Sequence, residues 1–207
     1  KMDFLGLRNL TIISDALENI TLNRDGFVLD LEHLPIDDAG SYELLARGDT
    51  LGVFQLDSGG MQELLKRMKP TGFKDIVASL ALYRPGPMEN IPTYCDVKNG
   101  VRPLESIHPT IDHILAETQG IIVYQEQVMQ IATDGAGFTP GEADQLRRAM
   151  AAWKRKGGVQ RFYDKIIDGM TARGYDRDFA ERTFKQLEGF GSYGFPESHA
   201  ASFALLA

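Results

Sequence analysis

A chain of 207 residues that is 43% hydrophobic and 25% charged has the composition of an ordinary soluble globular protein, long enough for one large domain or two small ones. It has no apolar run near the roughly 18 residues of a membrane span and no basic-then-apolar leader, and its single cysteine, Cys95, excludes an internal disulfide or a thiolate metal cluster, so a reducing, cytoplasmic setting is expected. A net charge of −7 argues at first sight against a nucleic-acid partner, but residues 1–139 carry 11 basic against 20 acidic side chains, whereas residues 140–207 carry 11 against 9.

The opening "KMDFLGL" reads as a short strand with an aspartate inside it. Burying Asp3 without a partner would cost roughly 2–7 kcal/mol. It therefore needs either Lys1, two residues away on the same face of the pleat, or a metal ion. These seven residues by themselves favour the ion pair.

Beyond it the periodicity is helical. Leu7, Leu10, Ile13, Leu17 and Ile20 mark one amphipathic face, and Met61, Leu64, Leu65 and Met68 mark another that Lys69-Pro70 should stop; both faces read as core. A helix over about 71–83 should bury Phe73, Ile76, Val77 and Leu80 before "RPGP" breaks it, with Pro87 in the first turn of the next. Further helices are predicted at about 109–117, 125–134, 141–155, 159–173, 177–189 and from 198 onward. Apart from the N-terminus, "LGVFQL" and "GIIVY" are the extended candidates. The last segment, "SHAASFALLA", stops inside an apolar run with no cap, and the first residue is not methionine, which together read as a fragment of something longer.

The helix "GEADQLRRAMAAW" carries the most chemistry. Ala143, Leu146, Met150 and Trp153 form its buried stripe, which turns Arg148 and Arg155 outward and puts Arg147 and Lys154 in a second column on the flank. Residues 147–165 hold seven basic side chains and one acid, Asp164. Two rows of cations suit a row of phosphates, although adjacent arginines on a helix are more often a solvated face. His33, His108 and His113 share no ligand spacing.

In chain order, "KMDFLGL", "GVFQLDSGGM", "ALYRPGPM", "GIIVYQEQVMQIA", "ADQLRRAM" and "GFGSYGFPESHAASFALL" resemble the bacterial DNA polymerase III alpha subunit, the C-family of replicative polymerases, over essentially the whole chain. The resemblance implies a mainly α fingers domain, with residues 1 to about 6 as the last palm strand, a few short β segments, and residues 7–207 as helical fingers truncated at the C-terminus. It implies DNA-directed DNA synthesis by two-metal phosphoryl transfer, with Mg²⁺ as cofactor and with primer–template DNA, dNTP, a sliding clamp and other replisome subunits as partners, the last two reached through other parts of the polymerase.

Residue by residue, the resemblance makes Asp3 the third catalytic carboxylate and a magnesium ligand, which would answer the question that its burial raises. Lys1, Arg147 and Arg148 would bind the incoming nucleotide, and Lys154, Arg155 and Lys156 the DNA backbone. The other metal-bridging carboxylates belong to an upstream Asp-x-Asp strand. Asp176-Arg177-Asp178 has that spacing but opens a helix, so the chain alone is expected to be inactive. Arg84, Gln125 and Glu126 lie in strong motifs without an assigned role. His199 could touch phosphate or be a satisfied buried histidine, and Ser198 is a candidate cap.

The chain departs from replicative members where Ala151-Ala152-Trp153-Lys154-Arg155-Lys156 follows "RRAM" and where Pro196-Glu197 precedes Ser-His. Both departures resemble the error-prone branch, whereas residues 1–131 resemble the replicative one, so a hybrid joined near "ATDGAGFTPGEADQ" is one reading. An error-prone translesion polymerase, a noncatalytic helical DNA-binding module and a helical interaction domain are the alternatives.

Overall fold

The computed structural model describes residues 6–151, 158–190 and 195–207. Among them the chain consists of α-helices joined by short 3-10 turns, with one isolated parallel bridge between Tyr124 and Phe195 and no β-ladder. It divides into two compact units, residues 1–38 and 39–207.

The first unit holds α1 (Arg8–Asn23) and a 3-10 turn at Leu31–His33 that Asp30 caps by accepting the Glu32 N–H at 3.0 Å. The apolar face expected to be core is not buried. Ile13, Leu17 and Ile20 are half-covered and Leu10 is 50% exposed. A 38-residue unit with one long helix has too little chain to cover that stripe from within.

In the second unit, α2 (Ala39–Ala46), α3 (Gly59–Met68), α4 (Phe73–Leu82) and α5 (Ile91–Lys98) build a first core around Leu56, Leu65, Met68, Leu82, Tyr94 and Cys95. The α3 helix starts where the Ser58 hydroxyl accepts the Met61 N–H and stops where Lys69 takes a left-handed conformation ahead of Pro70. For α4, the Asp75 carboxylate accepts the Thr71 N–H at 2.7 Å, and Arg84-Pro85 ends the helix. Ile76, Val77 and Leu80 are buried as expected, but so are all seven residues Ile76–Leu82, while Phe73 is only partly covered. Pro87 opens a 3-10 turn, Pro87–Asn90, that leads into α5.

"LGVFQL" is not a strand. Residues 51–56 form consecutive turns in which Gly52 and Gln55 have φ of 80° and 61°, a backbone no strand can hold. The Thr50 hydroxyl closes the loop by donating to the Leu56 carbonyl. "GIIVY" is extended only at Tyr124, where it meets Phe195 and where the Gln125 N–H donates to the Phe195 carbonyl at 3.1 Å.

A second core is formed by α6 (Asp112–Leu115), α7 (Gln125–Gln130), α8 (Pro140–Ala151), α9 (Tyr163–Ala172) and α10 (Arg177–Phe190). Val128, Leu146, Ile166, Ile167, Met170 and Leu187 are among its buried side chains. The α7 helix relaxes into a π-helical turn, Ile131–Gly135. Gly169 lets α9 seat on the end of this turn, since a Cβ there would stand 2.1 Å from the Ala136 carbonyl oxygen. The last helix, α11 (Glu197–Ala204), returns to pack on α4, with the small buried residues Ala200 and Ala204 one turn apart on its face.

Candidate functional site

The α8 helix begins with a reciprocal cap. The Thr139 N–H and hydroxyl both donate to Glu142 at 2.9 Å, Glu142 N–H returns a bond to the Thr139 oxygen, and Pro140 fills the first helical position. Lys165 from α9 also donates to Glu142, and these three donors, Lys165 foremost, pull the Glu142 carboxyl down to about 2. Glu142 is thereby committed to structure.

One turn on, Ala143, Leu146 and Met150 are buried, as their spacing predicts. The same geometry leaves Arg148 with 72% of its side chain exposed and Arg147 on the flank with 22%. Both arginines meet one acid. Arg147 donates through Nε (2.9 Å) and Nη2 (2.7 Å) to Oδ1 of Asp144, and Arg148 reaches Oδ2 through Nη2 at 2.7 Å. Asp144 is three and four residues N-terminal to the pair, so a single carboxylate spans both. Its pKa is held below the usual carboxylate range, chiefly by the hydrogen bond from Arg147 and then by Arg148, against the opposing effect of desolvation. The Asp144 spacing is written in "ADQLRR", but attention to the cations alone misses it.

A second polar group ties the start of α7 to α6 and to the turn that follows it. Gln127 is buried, and its Oε1 accepts the N–H groups of Val123 (2.8 Å) and Tyr124 (3.0 Å) while its Nε2 donates to the Ile114 carbonyl (3.1 Å) and the Thr118 hydroxyl (2.7 Å). It is the hydrogen-bonding post of "YQEQ", where the sequence singled out Gln125 and Glu126 without giving either a role. Its position three residues after Tyr124, as in a capping box, was the available signal.

Glu126 does something else: its carboxylate accepts the N–H of Glu197, the first residue of α11, at 3.0 Å. Ser198 is not the expected cap: it lies inside α11, whose N-cap position is Pro196, two residues earlier. Burial pushes the Glu197 carboxyl up, and the charges of Glu126 and Glu117 add to this. Arg84 lies face-on over Phe195 at 3.3 Å, and burial lowers its pKa. His199 stands edge-on between Phe195 and Phe203, with ring centroids 5.1 and 4.4 Å away.

Lys1 and Asp3 at one end of the sequence, and Lys154, Arg155 and Lys156 after α8, lie outside the described residues. Arg147 and Arg148 are the expected site residues that fall among those described, and they lie together. Among the described residues, no group of three or more His, Cys, Asp or Glu side chains is placed to hold a metal, and no helix is long and apolar enough to cross a membrane. The Asp176 carboxylate accepts the Asp178 N–H at 2.9 Å at the start of α10, in keeping with a helix-opening role. His33 pairs with Asp30, and the His108 ring lies 4.2 Å from that of Tyr175, tilted by 46°.

The fold and this cluster define the class: a mainly helical domain that pairs two adjacent arginines of one helix with a single carboxylate. The chain belongs to the bacterial DNA polymerase III alpha subunit finger domain family, whose model matches residues 9–174. It is 52% identical over 213 residues to a DNA polymerase III subunit alpha of Mycobacterium leprae and 47% identical over 209 residues to an error-prone DNA polymerase of Bordetella parapertussis. An error-prone DNA polymerase of Burkholderia mallei is also 47% identical, over 219 residues. All of this chain is matched in each case, and it spans 18%, 20% and 21% of those relatives, in that order.

Proposed function

We propose that this chain forms the fingers of a DNA-directed DNA polymerase and that Arg147 and Arg148 hold the triphosphate of the incoming nucleotide. The observation that carries the reading is the convergence of both guanidinium groups on one carboxylate, which holds two cations side by side. With five N–H donors each, Arg147 keeps three and Arg148 four that Asp144 does not engage. Those donors bind the β- and γ-phosphates, offset their charge and orient the α-phosphate toward the primer 3′-OH. The hydroxyl oxygen, giving up its proton to water, then forms the new P–O bond as the bond to pyrophosphate breaks.

Lys154, Arg155 and Lys156 are proposed to follow the DNA backbone, and Lys1 to face the triphosphate. Magnesium would be held by Asp3 together with carboxylates of the upstream palm, where it would offset charge on the phosphates. The sliding clamp and other replisome subunits, reached through other parts of the polymerase, and a cytoplasmic site of action complete the reading. Error-prone synthesis is the second reading, favoured by relatives of that name matching the whole chain. Calorimetric titration of the chain with tripolyphosphate tests the arginine pair. Arg147→Ala and Arg148→Ala should each weaken binding by roughly 10- to 100-fold, the scale of a lost charge-assisted hydrogen bond of about 1.5–3 kcal/mol. The exposed Arg148 is expected at the low end. Equal binding by all three proteins would refute the assignment.

A further inference from the structure

We propose that Asp144 is a positioning residue for the arginine pair, a built-in counter-anion that aligns both guanidinium groups and moderates their affinity for polyphosphate. This rests on the reading of Arg147 and Arg148 as the triphosphate site. The bonding pattern is asymmetric in a way that suits the role. Arg147 is clamped through two donors on one oxygen, and Arg148 is tethered by one donor on the other. The flank arginine is thus fixed while the exposed one keeps freedom to close on a ligand.

Among the described residues Asp144 is the acid paired with both arginines, and Glu142, held by Lys165 and Thr139, cannot replace it. A triphosphate arriving at the remaining donors meets two pre-aligned cations, but also one negative charge at hydrogen-bond distance from them. The charge keeps the ground-state complex loose, and the alignment serves the reaction. Removing the carboxylate should therefore separate two quantities that ordinarily move together: binding becomes tighter while turnover becomes slower.

Asp144→Asn keeps the shape and removes the charge. In calorimetry at fixed ionic strength, the Asn variant of the chain should bind sodium tripolyphosphate roughly three- to tenfold more tightly than the unaltered chain, the scale of one or two screened surface charge contacts. Asp144→Glu, which restores the charge, should return affinity toward the original value. In the polymerase that contains the chain, Asp144→Asn should lower the dNTP concentration at half-maximal rate and lower kcat. A thermal melt of the Asn variant should match that of the parent. Unchanged or weaker tripolyphosphate binding, a parallel loss of affinity and rate, or a variant that fails to fold would each overturn the proposal. If Arg147→Ala and Arg148→Ala leave tripolyphosphate binding intact, the underlying site reading fails. If they abolish it while Asp144→Asn changes nothing, the positioning role alone fails.

Discussion

Gln127 offers a sharp test of the fold that carries the site. Replacing it with leucine preserves bulk but removes the acceptor for two buried N–H groups, those of Val123 and Tyr124, and the donor to the Ile114 carbonyl. Thr118 is less affected, since its hydroxyl proton still has the Ile121 carbonyl as acceptor at 2.6 Å. Counting the two orphaned N–H groups at about 1–3 kcal/mol each predicts a destabilisation of about 2–6 kcal/mol. That is a large share of the roughly 5–15 kcal/mol that holds a domain folded. At roughly 2–4 °C per kcal/mol for a unit of this size, the melting temperature should fall by about 4–24 °C.

Gln127→Glu is the companion. It keeps an acceptor for both N–H groups but turns a second oxygen toward the Ile114 carbonyl, so the ionised form is disfavoured and the protonated form can donate there. Its folded pKa is raised, hence its penalty should be largest at pH 8 and shrink as pH falls toward 5. Circular-dichroism melts across that range are the assay. A leucine variant that costs less than about 0.5 kcal/mol, no more than a typical surface substitution, would refute the view that this amide ties these segments together.

Other expectations follow from close approach and from charge. Gly169→Ala would place a Cβ 2.1 Å from the Ala136 carbonyl oxygen, a backbone atom that cannot swing away, so urea unfolding should show a loss of about 1–3 kcal/mol or more. At Glu197, whose carboxyl burial pushes upward, the folded state disfavours the ionised form. The parent therefore loses stability as pH rises through that raised value, and Glu197→Gln should melt higher than the parent at neutral pH. The advantage should fade as pH falls and vanish below about 4.3, where the carboxyl is protonated in both states. A constant difference at all pH values would show that charge is not the cause.

Much of the helical architecture is legible in the sequence because its stripes are long and its stops are strong. Met61 to Met68 ending at Lys69-Pro70, and Ala143-Leu146-Met150 opening behind Thr139-Pro140, combine period with punctuation. Short apolar runs are not legible in that way. "LGVFQL" has strand-like residues, but Gly52 and Gln55 take positive φ to close a turn, and nothing in a hydrophobicity pattern records it. Amphipathicity at α1 reports a preference for burial, not a partner to satisfy it within residues 1–38.

At the candidate site, helical geometry foretold the flank and outward placements of Arg147 and Arg148. Their shared carboxylate was readable from the three- and four-residue spacing of Asp144, yet emerges only when acids and bases are read together. Gln127 was harder to find, because two of its four partners, Ile114 and Thr118, are 13 and 9 residues away and come together only in the folded unit.

The most direct test of the nucleotide assignment is single-turnover incorporation by the complete polymerase carrying Arg147→Ala or Arg148→Ala, with primer–template affinity measured alongside at several salt concentrations. The account predicts that each variant needs more dNTP to reach half its maximal rate, or reaches a lower maximum. Primer–template affinity and its salt slope should stay near those of the parent. Undiminished incorporation at low dNTP, with a fall confined to primer–template affinity and its salt slope, would make the arginines contacts to the DNA backbone and contradict it.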